Sequence, residues 1–192
     1  EKKKANQKLG EQNVQIIAQK EEIEKQRDLA NQQKKDITDS IEYAKRIQTA
    51  LLPPAGFIKR NLPEHFIYFK PRDIVSGDFY WMMNKDDKII ITAADCTGHG
   101  VPGAFMSMLG TAFLNEIVNK IIENKHIYSL QANEILNQLR NYIIESLHQS
   151  QYDNESKDGI DMSLCIIDSK NKKLQFSGAH NPLYIIKNNE LQ

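Results

Sequence analysis

The stretch Asp73-Ile-Val-Ser-Gly-Asp78-Phe-Tyr-Trp-Met-Met83, the turn Asn84-Lys-Asp-Asp87 and the run Lys88-Ile-Ile-Ile-Thr-Ala-Ala-Asp95-Cys-Thr-Gly-His-Gly-Val-Pro-Gly-Ala104 decide the fold. Residues 74–83 and 88–95 read as two strands joined by a polar turn. Ile89, Ile90 and Ile91 make the second strand apolar on both faces, as expected of a central strand with a layer on each side. The glycine-rich loop after it opens a helix near Pro102, whose fixed φ suits a first helical turn.

The hairpin also sets the chemistry. A two-residue loop pairs Lys85 with Lys88 and places Asp78 directly opposite Asp95. A four-residue loop keeps both carboxylates on one face, whereas a three-residue loop sends them to opposite faces. Two facing carboxylates repel, and a divalent cation is the economical compensation; hard oxygen donors select Mg²⁺ or Mn²⁺ over thiophilic metals. Gly98, Gly100 and Gly103 let the backbone approach an ion or phosphate, and the helix beginning at Pro102 points its positive end back at the site. From spacing alone, a structural turn with a capping aspartate competes with the metal site. The loop lacks Gly-Lys-Ser or Gly-Lys-Thr, which excludes a nucleotide-binding P-loop.

Outward from this core, Phe105, Met106, Leu109, Phe113, Ile117 and Ile121 recur at helical spacing. A second helix starts near Ser129 as N-cap and carries Ala132, Ile135, Leu136, Leu139, Ile143 and Leu147. A polar loop (151–159) leads to strands at 161–168, 173–179 and 183–187, with a turn at 169–172, and one more strand is expected at 65–70. Strands at both ends with helices between them predict an α+β domain with an antiparallel sheet.

Residues 2–52 contain no proline and are rich in helix formers, and Pro53-Pro54 ends the run. Leu9, Ile16, Ile23, Ala30, Ile37, Ala44 and Leu51 recur every seventh residue, one apolar seam of a coiled coil. The companion column four residues on (Asn13, Lys20, Arg27, Lys34, Ile41, Gln48) is mostly polar, so the expectation is a weak, adjustable parallel homodimer; a solvated spacer helix is the alternative. The first histidine is His65, so this is not a phosphoacceptor helix. The expected organisation is therefore a coiled-coil signalling helix, 1–52, and a globular domain, 53–192.

Composition narrows the classes further. Twenty-five basic against 25 acidic residues give zero formal charge, so no global field draws nucleic acid or an anionic membrane. Two cysteines exclude a disulfide scaffold and suit a reducing, cytoplasmic compartment. No apolar run approaches a membrane span, and no hydrophobic signal core stands at the N-terminus. Five of the nine glycines (77, 98, 100, 103, 110) crowd around the loop, whereas residues 1–52 hold only Gly10.

Asp73–Trp81, Ala94–Ala104 and the later Gly178-Ala-His-Asn-Pro-Leu-Tyr-Ile-Ile186 together resemble the PPM metal-dependent serine/threonine phosphatases, in the branch of bacterial stage II sporulation protein E and the sigma-factor regulatory phosphatases. Ile41–Pro53 resembles the helix leading into such domains, so the likeness covers about residues 40–192. It implies an antiparallel β-sandwich flanked by helices in α-β-β-α layers, with a binuclear Mn²⁺/Mg²⁺ centre whose activated water attacks a phosphoserine or phosphothreonine. By motif, Asp78 matches a ligand of one metal, Asp95 the bridging ligand and Cys96 a backbone-carbonyl ligand, its thiol a bystander. Gly98, His99 and Gly100 match the turn beside the site. The following helices match the segment that, in this branch, moves to control metal binding.

Two departures matter. Ser76 replaces the first of two family glycines, and the two aspartates that the family adds near the domain's end have no counterpart after Asn181. The domain is therefore expected to be C-terminally truncated, with an incomplete metal site. His180 and Asn181 either face the substrate phosphate or simply form a turn fixed by Pro182, and Asp161 either reaches the site or caps a turn. His65, His126 and His148 are expected on the surface. The resemblance implies an output domain acting on a phosphorylated regulatory protein under an upstream sensor. The alternative is a catalytically incompetent dimerisation and protein-binding module.

Overall fold

The computed structural model describes residues 1–85, 87–124, 130–149 and 158–191. Helix α1 spans Lys2–Leu51, followed by α2 (Ala55–Asn61), β1 (Phe79–Lys85), β2 (Lys88–Cys96), α3 (Gly100–Glu123), α4 (Ala132–Ser146), β3 (Ile160–Asp168), β4 (Lys173–Ala179), β5 (Ile186–Lys187) and β6 (Glu190–Leu191). The chain divides into two compact units, Glu1–Tyr43 and Ala44–Gln192.

The first unit is helix alone. Its polar surface is laced by i,i+4 contacts such as Lys20–Glu24 and Gln32–Asp36. Leu9, Ile16, Ile23 and Ile37 on the heptad column are all exposed.

The second unit is built on one four-stranded antiparallel sheet in the order β1-β2-β3-β4. Along β2 the even residues Ile90, Thr92, Ala94 and Cys96 are buried against the helices, as are Phe79 and Trp81 of β1 and Met162, Leu164 and Ile166 of β3. Met106, Leu114, Ile117, Val118 and Ile121 of α3 and Ile135, Leu139 and Ile143 of α4 complete this core. The sole tryptophan, Trp81, anchors it by donating its Nε1–H to Asn115 Oδ1 at 2.9 Å. By length and mean composition helix α3 is apolar enough to cross a membrane, although polar residues such as Asn115, Glu116 and Asn119 interrupt its apolar run, and its inner face is core. Helix α4 takes Gln131 as N-cap, one residue inside a cap supplied by β4, where Gln175 Oε1 accepts from Ala132 N–H at 3.3 Å. The expected cap Ser129, like His126, lies outside the described residues.

The opposite face of the sheet is covered in part by α2, where Ile58 packs with Met82 and Ile89. Phe69 meets Tyr80 edge-on there, with ring centroids 5.7 Å apart. Of the expected sandwich, the described residues form this one sheet and a small ribbon of β5 with β6.

Three strand expectations are corrected. Residues 65–70 form no strand: prolines 63 and 71 bracket them, and Phe66 and Tyr68 stand 91% and 83% exposed, without a partner strand. The strand expected from 74 begins only at Phe79, because the Gln48 side chain occupies the backbone of Ser76. The strand expected over 183–187 shrinks to Ile186–Lys187. Helix α2 was not anticipated, although Pro54 at its N-cap and Lys59 and Arg60 in its last turn are ordinary helix signals.

Candidate metal centre

Lys85 pairs with Lys88, so the hairpin loop has two residues, Asp86 and Asp87, of which Asp87 has φ 61°. This is the register that sets Asp78, one residue before β1, across from Asp95. Both are exposed, on the sheet face away from α3 and α4. The Asp78 carboxyl is pushed above its ordinary value of 3.8, first by partial burial and then by hydrogen bonding to, and charge repulsion from, Asp95. Asp161 pairs with Asp95 in the next strand, so three carboxylates lie in register across β1, β2 and β3.

The glycines explain how the loop reaches this row. A Cβ on Gly103 would lie 2.7 Å from the Gly98 carbonyl and 2.9 Å from Gly77 Cα, and one on Gly77 would lie 2.8 Å from the same carbonyl. The approach to β1, the loop after β2 and the head of α3 thus cross backbone to backbone. Gly98 and Gly100 take positive φ, 86° and 62°. On the far side of the crossing, Gln48 Nε2 donates to the Ser76 carbonyl at 2.6 Å and to Ser107 Oγ at 2.7 Å, while Gln48 Oε1 accepts from Ser76 N–H at 3.0 Å. Ser76, in place of a glycine, is buried and fully engaged here.

The Cys96 side chain points the other way. It is buried in the helix-facing core, and burial, with charge repulsion from Asp95 and Asp78, pushes its thiol up to about 12. Only its carbonyl is a candidate ligand, 3.3 Å from where a Cβ on Gly77 would stand. Thr97 ties the loop to the start of β3: its N–H donates to the Gly159 carbonyl at 3.0 Å, and its Oγ1 accepts from Gly159 N–H at 2.9 Å.

His99 is the N-cap of α3, and its Nδ1 lies 2.8 Å from Asp73 Oδ2. His180 bridges to Met162 with φ 61°, its Nδ1 3.9 Å from Asp161 Oδ1. Asn181 follows in irregular chain, and a Cβ on Gly178 would lie 2.1 Å from its carbonyl. A cleft of about 790 Å³ opens here, lined by Asp95, Thr97, Arg140, Asp161 and His180 among others. His65 and His148 are exposed, as expected.

Of the residues expected from sequence, the structure sets Asp78 across from Asp95 and puts Cys96, Gly98, His99 and Gly100 on the stretch directly after Asp95, with His180 and Asn181 at the end of β4. The sequence reading missed Gln48 and the pairing of Asp73 with His99. A lone polar residue on a helix face that later buries is the one signal for Gln48; a contact between the irregular approach to β1 and the loop after β2, 26 residues apart, leaves no pattern for Asp73. Facing carboxylates and a carbonyl at Cys96 are hard oxygen donors, and they fit a hard divalent cation; the Cys165 thiol shares that sheet face but stands four residues along β3 from Asp161. Among the described residues, no group of three or more His, Cys, Asp or Glu is arranged to hold a metal ion.

The comparisons place the chain in the PPM-type phosphatase branch, and its fold is similar to a PP2C domain. The stage II sporulation protein E (SpoIIE) family matches residues 85–192, and the chain belongs to that family. Among solved structures it is similar to the SiaA-PP2C domain of Pseudomonas aeruginosa, with 35% identity and a TM-score of 0.65 over 79% of this chain. The chain spans 56% of that structure's length. No curated protein matches it.

Proposed function

We propose that this chain is part of the output portion of a bacterial signalling protein that hydrolyses phosphoserine or phosphothreonine on a small regulatory protein. The observation that carries this reading is the register that sets Asp78 across from Asp95 at the glycine crossing. Asp78, Asp95 and the Cys96 carbonyl would hold Mn²⁺ or Mg²⁺, which supplies Lewis-acid charge and acidifies a water for attack on phosphorus. The chain's own residues do the rest. The crossing holds Asp78 and Asp95 at one register position, Thr97 fixes the loop to β3, and the cleft beside Asp95 and Asp161 has room for the residues flanking a phosphorylated side chain. His180 lines that cleft; Gly98, His99 and Gly100 form the loop that follows Asp95, and Asn181 follows His180 at the end of β4.

Manganese-dependent release of phosphate from a phosphoprotein by the full-length parent, lost in Asp95→Asn, is the expected result. Undiminished activity in that variant would overturn the mechanism. A second reading, a non-catalytic dimerisation and protein-binding module, is favoured by the small donor set among the described residues. Calorimetric titration of this chain with Mn²⁺ separates the two. Weak binding at one site fits a catalytic half-site, and no binding at all fits the second reading; tight binding of two ions would contradict an incomplete centre.

We further propose that Leu9, Ile16, Ile23, Ala30, Ile37, Ala44 and Leu51 form the seam of a parallel homodimer through which an upstream sensor acts. The free thiols of Cys96 and Cys165 suit the cytoplasm.

A further inference from the structure

His99 is held by a residue that no metal ligation requires. Its Nδ1 lies 2.8 Å from Asp73 Oδ2, and both partners are held in place by the backbone around them. Gly100 follows directly with φ 62°, a conformation that favours glycine. Asp73 is itself anchored, because Val75 and Ser76 just after it are buried and Ser76 is clamped on both backbone groups by Gln48. His99 is anchored from the other side as the N-cap of α3, three positions beyond Cys96. The two side chains remain 63% and 42% exposed, so the pair contributes little to stability and a structural tie explains it poorly.

We propose that Asp73 is a positioning residue. Its carboxylate accepts the Nδ1–H of His99, fixes the ring in that tautomer and leaves Nε2 as the free nitrogen at the head of α3, on the loop that leaves the site four residues after Asp95. A carboxylate behind an imidazole sets which nitrogen carries the proton and how the ring is aimed. Nε2 is then the atom offered to a phosphate oxygen or to water. This inference rests on the phosphatase reading for its purpose, but not for its test.

Long-range ¹⁵N–¹H correlation spectra of the imidazoles, recorded on this chain at neutral pH or above and assigned with His99→Gln, report the tautomer directly. The expected result is Nδ1–H for His99, lost or mixed in Asp73→Asn and restored in Asp73→Glu. An Nε2–H tautomer in the unmodified chain, or one unchanged by Asp73→Asn, would overturn the proposal. Circular dichroism checks that each variant is folded, and should Asp73→Asn fail to fold, Asp73→Ser serves the same comparison. In the full-length parent, Asp73→Asn is expected to lower kcat about 10–100-fold with KM little changed. An inactive parent, or full activity in Asp95→Asn, would sink the phosphatase reading while leaving the tautomer result standing.

Discussion

Asp78 shows at a single residue what the site costs the fold. Its carboxyl is raised above 3.8, so the folded state binds that proton more tightly than the unfolded chain does. The stability tied to it is present below the ordinary value and is lost as pH rises through the raised one. Asp78→Asn is therefore expected to stabilise the cation-free chain at pH 7 by about 0.2–1 kcal/mol, the range for like charges directly opposite in a sheet. The gain should fade as pH falls below 3.8, and urea melts at two pH values would show it. At the crossing, Gly103→Ala drives a Cβ into backbone atoms that cannot swing aside, and a loss of about 1–3 kcal/mol is expected. The opposite sign is expected for Gly10→Ala, where nothing lies within 4 Å and helix interior prefers alanine by about 0.5–1 kcal/mol. Asp78 and Asp95 were legible as a pair because two residues of turn determine their register. Asp161 was legible only as one of two alternatives, reaching the site or capping a turn, because its strand returns far along the chain, after both helices.

Among the elements, the start of β1 is the instructive failure. Alternation continues back to Ile74 in the sequence, and a period-2 pattern cannot reveal that Ser76 has already given its N–H and carbonyl to a side chain 28 residues earlier. Gln48→Leu keeps the volume and strands the buried Ser76 N–H, while the Ser76 carbonyl keeps only the longer bond from Ser107 Oγ at 3.3 Å. A loss of about 1–3 kcal/mol is expected, with a drop in thermal midpoint as the readout. The helices α3 and α4 were legible because 3.6-residue periodicity survives without knowledge of what they pack on, whereas α2 is too short for periodicity to register. For α1, sedimentation should find a concentration-dependent dimer that Ile23→Asp disrupts. A monomer at high concentration would remove the seam reading.

Over the whole molecule, the order of elements along the chain was enough for the α+β class and the antiparallel sheet, since each strand's length and turn are local properties. How many sheets the described residues complete was not, because that depends on which apolar faces find partners. Mn²⁺ is expected to raise the thermal midpoint of this chain, as any ligand that prefers the folded state does, and Asp95→Asn should abolish the shift.

Trp81 turns that experiment into an optical one. It is the only indole in the sequence, it is buried, and it stands three positions along the chain from Asp78 with its ring nitrogen bound to α3. Its emission therefore comes from one known place between the carboxylate row and the helix that begins at the glycine loop. Cation binding, loss of the α3 contact and global unfolding should each change its wavelength or intensity, so the chain can be followed through all three without a label.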